Sequence, residues 1–114
     1  MDKYSEKLYD IQKLLGRLQK QVPKEIEAFK KFSEAVEVEG ELQAKQKNLI
    51  NIALAVAAQC EWCISLHVKE ALTNGATEQE IIEAGMQAVL MHGGPALMYM
   101  IPLEEAVAEF LQQK

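Results

Sequence analysis

From Leu49 to Ala58 the chain places one polar side chain, Asn51, in an otherwise unbroken run of Leu, Ile, Val and Ala. The run reads as the second half of a helix from about Leu42 to Ala58, whose first half, Gln43 to Lys47, is polar. A helix that is apolar nearly all the way round must be covered on every side. A chain of 114 residues is one domain and buries one modest core. The run therefore predicts a homo-oligomer, in which a second copy supplies the missing cover.

The rest of the chain reads as helices joined by short turns. Tyr4, Leu8, Ile11, Leu14, Leu15 and Leu18 recur at helical spacing, with charges on the opposite face. Pro23 suits the first turn of a second helix. In that helix Ile26, Phe29, Phe32 and Val36 form an apolar stripe that ends near Gly40. Glu34, Glu37, Glu39 and Glu41 around that end read as a solvated surface. Gln59 to Asn74 is a fourth helix or a kinked continuation of the third, stopped by Asn74-Gly75. Thr77 with Glu80 three residues later is a capping box that opens a fifth helix, Glu78 to about Met91. His92-Gly93-Gly94 interrupts, and Pro95 opens a sixth helix running to Gln112. No window alternates as a strand, and no repeat, low-complexity tract or linker divides the chain. The expectation is a single all-α domain over residues 1–114 with about six helices, residues 1–40 forming an N-terminal helical lead.

Charge narrows the partners. The formal net charge is -5, and ten of the twelve basic residues lie at or before Lys47. Phosphate binding needs concentrated Lys and Arg, so nucleic acid is not expected as a partner. Ala84 to Leu103 carries no charge and is long enough to raise the question of a membrane span. Gln87, His92, Gly93, Gly94 and Pro95 would break and polarise such a helix, so a packed interior or subunit interface fits better. The opening MDKYSEKLYD has no apolar h-region and does not read as a signal peptide. The expected compartment is the cytoplasm, where two cysteines in a short motif point to catalysis or metal binding before a structural staple.

Those cysteines lie in Cys60-Glu61-Trp62-Cys63-Ile64-Ser65-Leu66-His67. On a helix, i, i+3 and i+7 fall along one face, so Cys60, Cys63 and His67 share a stripe. The two sulfurs come within bonding reach if Cys60 sits at the helix N-terminus. A thiolate attacks a peroxide or a disulfide far faster than a thiol does. His67 supplies activation as a base or as a nearby positive charge. Oxidation of one thiol to a sulfenic acid followed by condensation with the other closes a disulfide, so both halves of a thiol redox cycle are present. The blander readings are two small apolar residues in a helical core and a zinc site. Zinc would want four ligands, and only Cys60, Cys63, His67 and His92 are on hand. His92 alone reads as a core or interface residue, and Met86, Met91, Met98 and Met100 read as core filler.

This constellation resembles the carboxymuconolactone decarboxylase family, in particular its AhpD-like alkylhydroperoxidase branch. The resemblance rests on Lys45-Gln46-Lys47-Asn48-Leu49-Ile50, the apolar helix, the CxxCxxxH core through Val68, Gly75-Ala76-Thr77, Glu80-Ile81-Ile82 and Gly93-Gly94. It covers roughly residues 42–111. It implies an all-helical fold assembled as a dimer, trimer or hexamer. It also implies a peroxidase or disulfide oxidoreductase that needs no metal or organic cofactor and is recharged by an external dithiol or protein reductant. By this resemblance Cys63 attacks the peroxide, Cys60 resolves it, and His67 relays protons. Helix-terminus reasoning alone favours the lower pKa at the first cysteine. Two positions depart from the pattern. The relay glutamate of the branch falls on Asn48, whose amide cannot take a proton as a carboxylate does, and a His found between the cysteines in its hydroperoxidases is here Trp62. His67 with a water, His92 or a partner subunit would then complete the relay. The alternatives are disulfide exchange, a decarboxylase-like lyase acting on a small lactone acid, which does not depend on the cysteine pair, and a non-catalytic redox-switched module.

Overall fold

Cap and turn chemistry sets the helix boundaries in the computed structural model of the protein, which describes residues 2–113. The helices are α1 (Lys3–Gln21), α2 (Pro23–Glu37), α3 (Ala44–Ala57), α4 (Glu61–Thr73), α5 (Glu78–His92), α6 (Gly94–Met98) and α7 (Met100–Gln112). No strand occurs among the described residues. The capping box read from Thr77 and Glu80 is formed: Glu80 N donates to Thr77 Oγ1 at 3.1 Å and Thr77 N to Glu80 Oε1 at 2.8 Å. Gln43 and Gln46 build the same device at the start of α3. Gly75, at φ +89°, ends α4 as expected, with Gly75 N bonded to Leu72 O and Ala76 N to Ala71 O.

The helix expected from Pro95 to Gln112 is two pieces, α6 and α7, meeting at Tyr99. Pro102 explains the break. Its ring and missing N–H are incompatible with a helical bond to Met98 but harmless in the first turn of a new helix.

The core lies where α3, α4, α5 and α7 meet. Ile52 and Val56 of α3, Ile64 and Val68 of α4, Ile81 of α5, and Leu103 and Val107 of α7 are fully buried. Each contributes about 1.5–3 kcal/mol of burial. α3 packs most extensively against α5 and α4, so it is the central helix. α1 is pinned across this core by α7: Glu109 accepts from Tyr4 N at 3.0 Å, Ser5 N at 2.7 Å and Ser5 Oγ at 2.8 Å. A carboxylate there satisfies the free N–H groups of a helix start and its positive dipole end.

Two apolar surfaces differ from a self-sufficient monomer. In α2 only Ile26 is buried, and Phe29 and Phe32 are 59% and 66% exposed, because α2 packs chiefly on α1 and no other helix covers its stripe. On the α3–α5 side Leu54, Leu90 and Met91 are 62%, 75% and 77% exposed. The all-round apolar helix is thus left with one stripe, Ile50 and Leu54, uncovered by its own chain. No helix among the described residues is long and apolar enough to cross a membrane.

Candidate redox site

The turn between α3 and α4 places the cysteines. α3 ends with Gln59 N bonded to Val56 O at 3.1 Å and Cys60 N to Ala55 O at 3.2 Å, the double closure of a Schellman ending. Gln59 occupies the left-handed position of that motif at φ +57°, which for a residue with a Cβ costs about 1–2 kcal/mol. The chain reverses there, so α4 is a separate helix and not a continuation of α3. Cys60 becomes its N-cap, in extended backbone conformation, and its Sγ accepts from Cys63 N at 3.1 Å.

Cys60 and Cys63 form a disulfide, with Cα atoms 5.2 Å apart. The N-terminal placement that the motif required of Cys60 is therefore present. The shared stripe is narrower than expected. Cys63 and His67, one turn apart on α4, line a cleft of about 270 Å³ with Asn51, Leu54, Ala55 and Ala58, whereas Cys60 lies outside it at the cap.

His67 is largely enclosed. Its Nδ1 is buried without a hydrogen-bond partner and lies 3.5 Å from Glu70 Oε1. Burial lowers the His67 pKa, and the charge of Glu37 partly opposes that by raising it. Burial likewise raises the Glu70 pKa, and Glu37 pushes it the same way. An imidazole held toward its neutral form at the mouth of a cleft that also presents a cysteine is equipped to accept a proton.

The other motif positions are accounted for separately. Asn48 is 2% exposed, and its Oδ1 accepts from Asn74 Nδ2 at 2.6 Å, tying the start of α3 to the C-cap of α4. It does not line the cleft. Trp62 faces α1: its Nε1 donates to Asp10 at 3.3 Å and the Lys7 ammonium sits 4.3 Å from its ring centre. Glu61 meets Lys3 and Lys7 on the same side. His92 ends α5 and lines a different groove with Ala57 and Met91. Among the described residues no group of three or more His, Cys, Asp or Glu side chains is placed to hold a metal ion.

Two residues of the site are not read as functional from the sequence. Asn51 lines the cleft, and its Nδ2 donates to Glu37 Oε1 at 2.9 Å. Glu37 had been grouped with a solvated acidic surface. It is half-buried, because the end of α2 folds back onto α3. The available signal was Asn51 itself, the one polar side chain in the apolar run.

The geometry has counterparts. A model of the carboxymuconolactone decarboxylase family matches residues 23–106. An uncharacterised protein of Cupriavidus necator is 34% identical over 93 residues, 82% of each chain. An uncharacterised protein encoded in the cox locus of Paracoccus denitrificans is 43% identical over 70 residues, 61% of this chain, and the match spans only 63% of that relative's length. The crystal structure of an apo carboxymuconolactone decarboxylase family protein from Legionella pneumophila superposes with a TM-score of 0.92 at 39% identity, over 96% of this chain and 98% of that one. A Thermotoga maritima family member with a suggested part in an antioxidative response superposes at 0.83, over 92% and 90% of the chains. At 21% identity it speaks to the fold alone.

Proposed function

The chain belongs to the carboxymuconolactone decarboxylase family, and from that premise we propose that it is a thiol oxidoreductase that reduces peroxides or organic hydroperoxides. The observation that carries the reading is the joint placement of Cys63 and His67 in one cleft, with Cys63 disulfide-bonded to the helix cap Cys60.

In the reduced protein, His67 takes the thiol proton of Cys63. The thiolate attacks the outer peroxide oxygen: an S–O bond forms, the O–O bond breaks, and the alkoxide leaves as the alcohol with the proton held by His67. Cys60, as thiolate at the N-terminus of α4, attacks the sulfenic sulfur. The S–S bond forms and hydroxide leaves, taking up the Cys60 proton to become water. A dithiol reductant then returns two electrons and two protons to the disulfide. The net change is one hydroperoxide and one dithiol converted to alcohol, water and disulfide. The cytoplasm, kept reducing by such dithiols, suits the cycle.

Cys63 is the attacking residue in this scheme because it faces the cleft and His67, while Cys60 does not. The lyase alternative finds less support, since the cleft lining contributes no Lys or Arg to receive a dicarboxylate. Leu90 and Met91 beside the exposed flank of α3 fit an interface with further copies of the chain. Sedimentation of the wild type as an oligomer, reduced to smaller species by Leu90→Lys, would support that assembly, and a monomeric wild type would remove it.

The deciding experiment is stopped-flow oxidation of the reduced protein by hydrogen peroxide and by an organic hydroperoxide. Thiol loss faster than that of a free cysteine, with sulfenate trapped in Cys60→Ser and none in Cys63→Ser, is expected. Oxidation no faster than an ordinary thiol in every variant would sink the peroxidase reading and leave disulfide exchange to be tested.

A further inference from the structure

The carboxylate that Asn48 cannot supply has a candidate on another helix. Lys47 Nζ donates to Val36 O at 2.8 Å and Val38 O at 2.6 Å, so the backbone on both sides of Glu37 is clamped to α3. One turn further along α3, Asn51 Nδ2 binds the Glu37 carboxylate at 2.9 Å. Lys47 and Asn51 are an i, i+4 pair on one face, so together they fix both the main chain and the side chain of Glu37. The placement is an unfavourable one for helix stability alone. Glu37 is the last residue of α2, where a carboxylate faces the negative end of the helix dipole. Asn51 in turn shares the cleft with Cys63 and His67.

We propose that Glu37 is a positioning residue of this site: held by Lys47 and by Asn51 of the cleft, its carboxylate acts on His67 and takes the place of the carboxylate absent at Asn48. This deepens the thiol oxidoreductase reading and rests on it for its catalytic meaning, although the pairing with His67 can be measured without turnover. Around His67 lie Glu70 of α4, 3.5 Å from its Nδ1, Cys63 of α4 and Asn51 of α3 in the shared cleft, and Glu37 of α2, whose charge acts on it. Lys47 has its ammonium committed to two carbonyls, and Asn51 is neutral. Burial raises the Glu70 pKa, and the nearby charge of Glu37 raises it further.

The negative charge of Glu37 favours the imidazolium, so removing it makes His67 harder to protonate. In the cycle, an imidazolium stabilised by Glu37 is the partner of the Cys63 thiolate and the donor to the leaving alkoxide. Loss of Glu37 should therefore slow thiolate formation and move the pH dependence.

The test is the His67 titration followed by NMR of its ring nitrogens in wild type, Glu37→Gln, Asn51→Ala and Asn48→Ala, each checked for an unchanged thermal transition. Thiol loss with hydrogen peroxide is measured across pH alongside. Glu37→Gln is expected to move the His67 midpoint down by roughly half a pH unit or more. Asn51→Ala, which frees the carboxylate without removing it, should move it less, and Asn48→Ala should leave it in place. Peroxide-driven thiol loss should fall about threefold or more in Glu37→Gln, with its pH profile displaced. A folded Glu37→Gln protein with the wild-type His67 midpoint overturns the proposal whatever its peroxide rate. A shifted midpoint in a protein whose wild type is inert to peroxide sustains the Glu37–His67 pairing and removes only the peroxidase reading.

Discussion

Cys63 donates its backbone N–H to Cys60 Sγ at 3.1 Å, so the sulfur that caps α4 is also one half of the disulfide. The redox pair and the helix start are a single structural unit. Cys60 Sγ is the side-chain acceptor that caps the first turn of α4. Replacing Cys60 by Ser should keep the cap, and replacing it by Ala should lose it, at about 1 kcal/mol. Urea unfolding of the two variants in the presence of a reductant measures the difference; equal stability would mean that the cap contributes nothing.

Burial of His67 and Glu70 makes stability depend on pH in two opposite ways. His67 has a folded pKa below its ordinary 6.5, so the unfolded chain binds more protons from about pH 6.5 down to that folded value, and stability falls as pH drops through this window. Glu70 has a folded pKa above its ordinary 4.5, so the native state binds more protons between the two values, and stability falls as pH rises through that window. Urea midpoints from pH 4 to 8 should lose the first dependence in His67→Gln and the second in Glu70→Gln. Wild-type pH dependence in both variants would show that neither group titrates differently on folding.

Gln59 holds φ +57° to turn α3 into α4. Glycine takes this conformation without the Cβ penalty, although it costs more chain entropy on folding. Gln59→Gly should therefore raise stability by about 0.5–1 kcal/mol, seen as a higher melting temperature with the disulfide still formed. A lower melting temperature would mean that the Gln59 side chain makes a stabilising contribution larger than the strain.

Gly85 lets α5 and α7 approach closely. A Cβ at this position would lie 2.7 Å from Leu103 Cδ2 and 2.7 Å from Met100 Sδ. Met100 can adjust, but Leu103 is fully buried in the core. Gly85→Ala is expected to destabilise by about 1–3 kcal/mol through overpacking, despite the better helix propensity of Ala. A neutral or stabilised variant in thermal unfolding would mean that α7 shifts at little cost.

The sequence by itself determined the features whose causes are local. Thr77 and Glu80 cap α5 because they are three residues apart, Gly75 ends α4 because it takes a left-handed turn, and Cys60 and Cys63 pair across the start of a helix because their spacing allows it. The apolar run in α3 announced a helix that one chain cannot enclose, and Leu54 remains 62% exposed. Pro102 was a local signal for the break between α6 and α7, overshadowed by Pro95 and the glycines before it. Tertiary structure decided what depends on residues far apart in sequence. Glu37 looked like one of several surface acids because periodicity says nothing about where the end of α2 will fold. Only the packing of α2 back onto α3, through Lys47 and Asn51, brings its charge to bear on His67. Asn48, onto which the family resemblance places the relay glutamate, is occupied with Asn74 instead, because a buried amide must find a hydrogen-bond partner and the end of α4 supplies one.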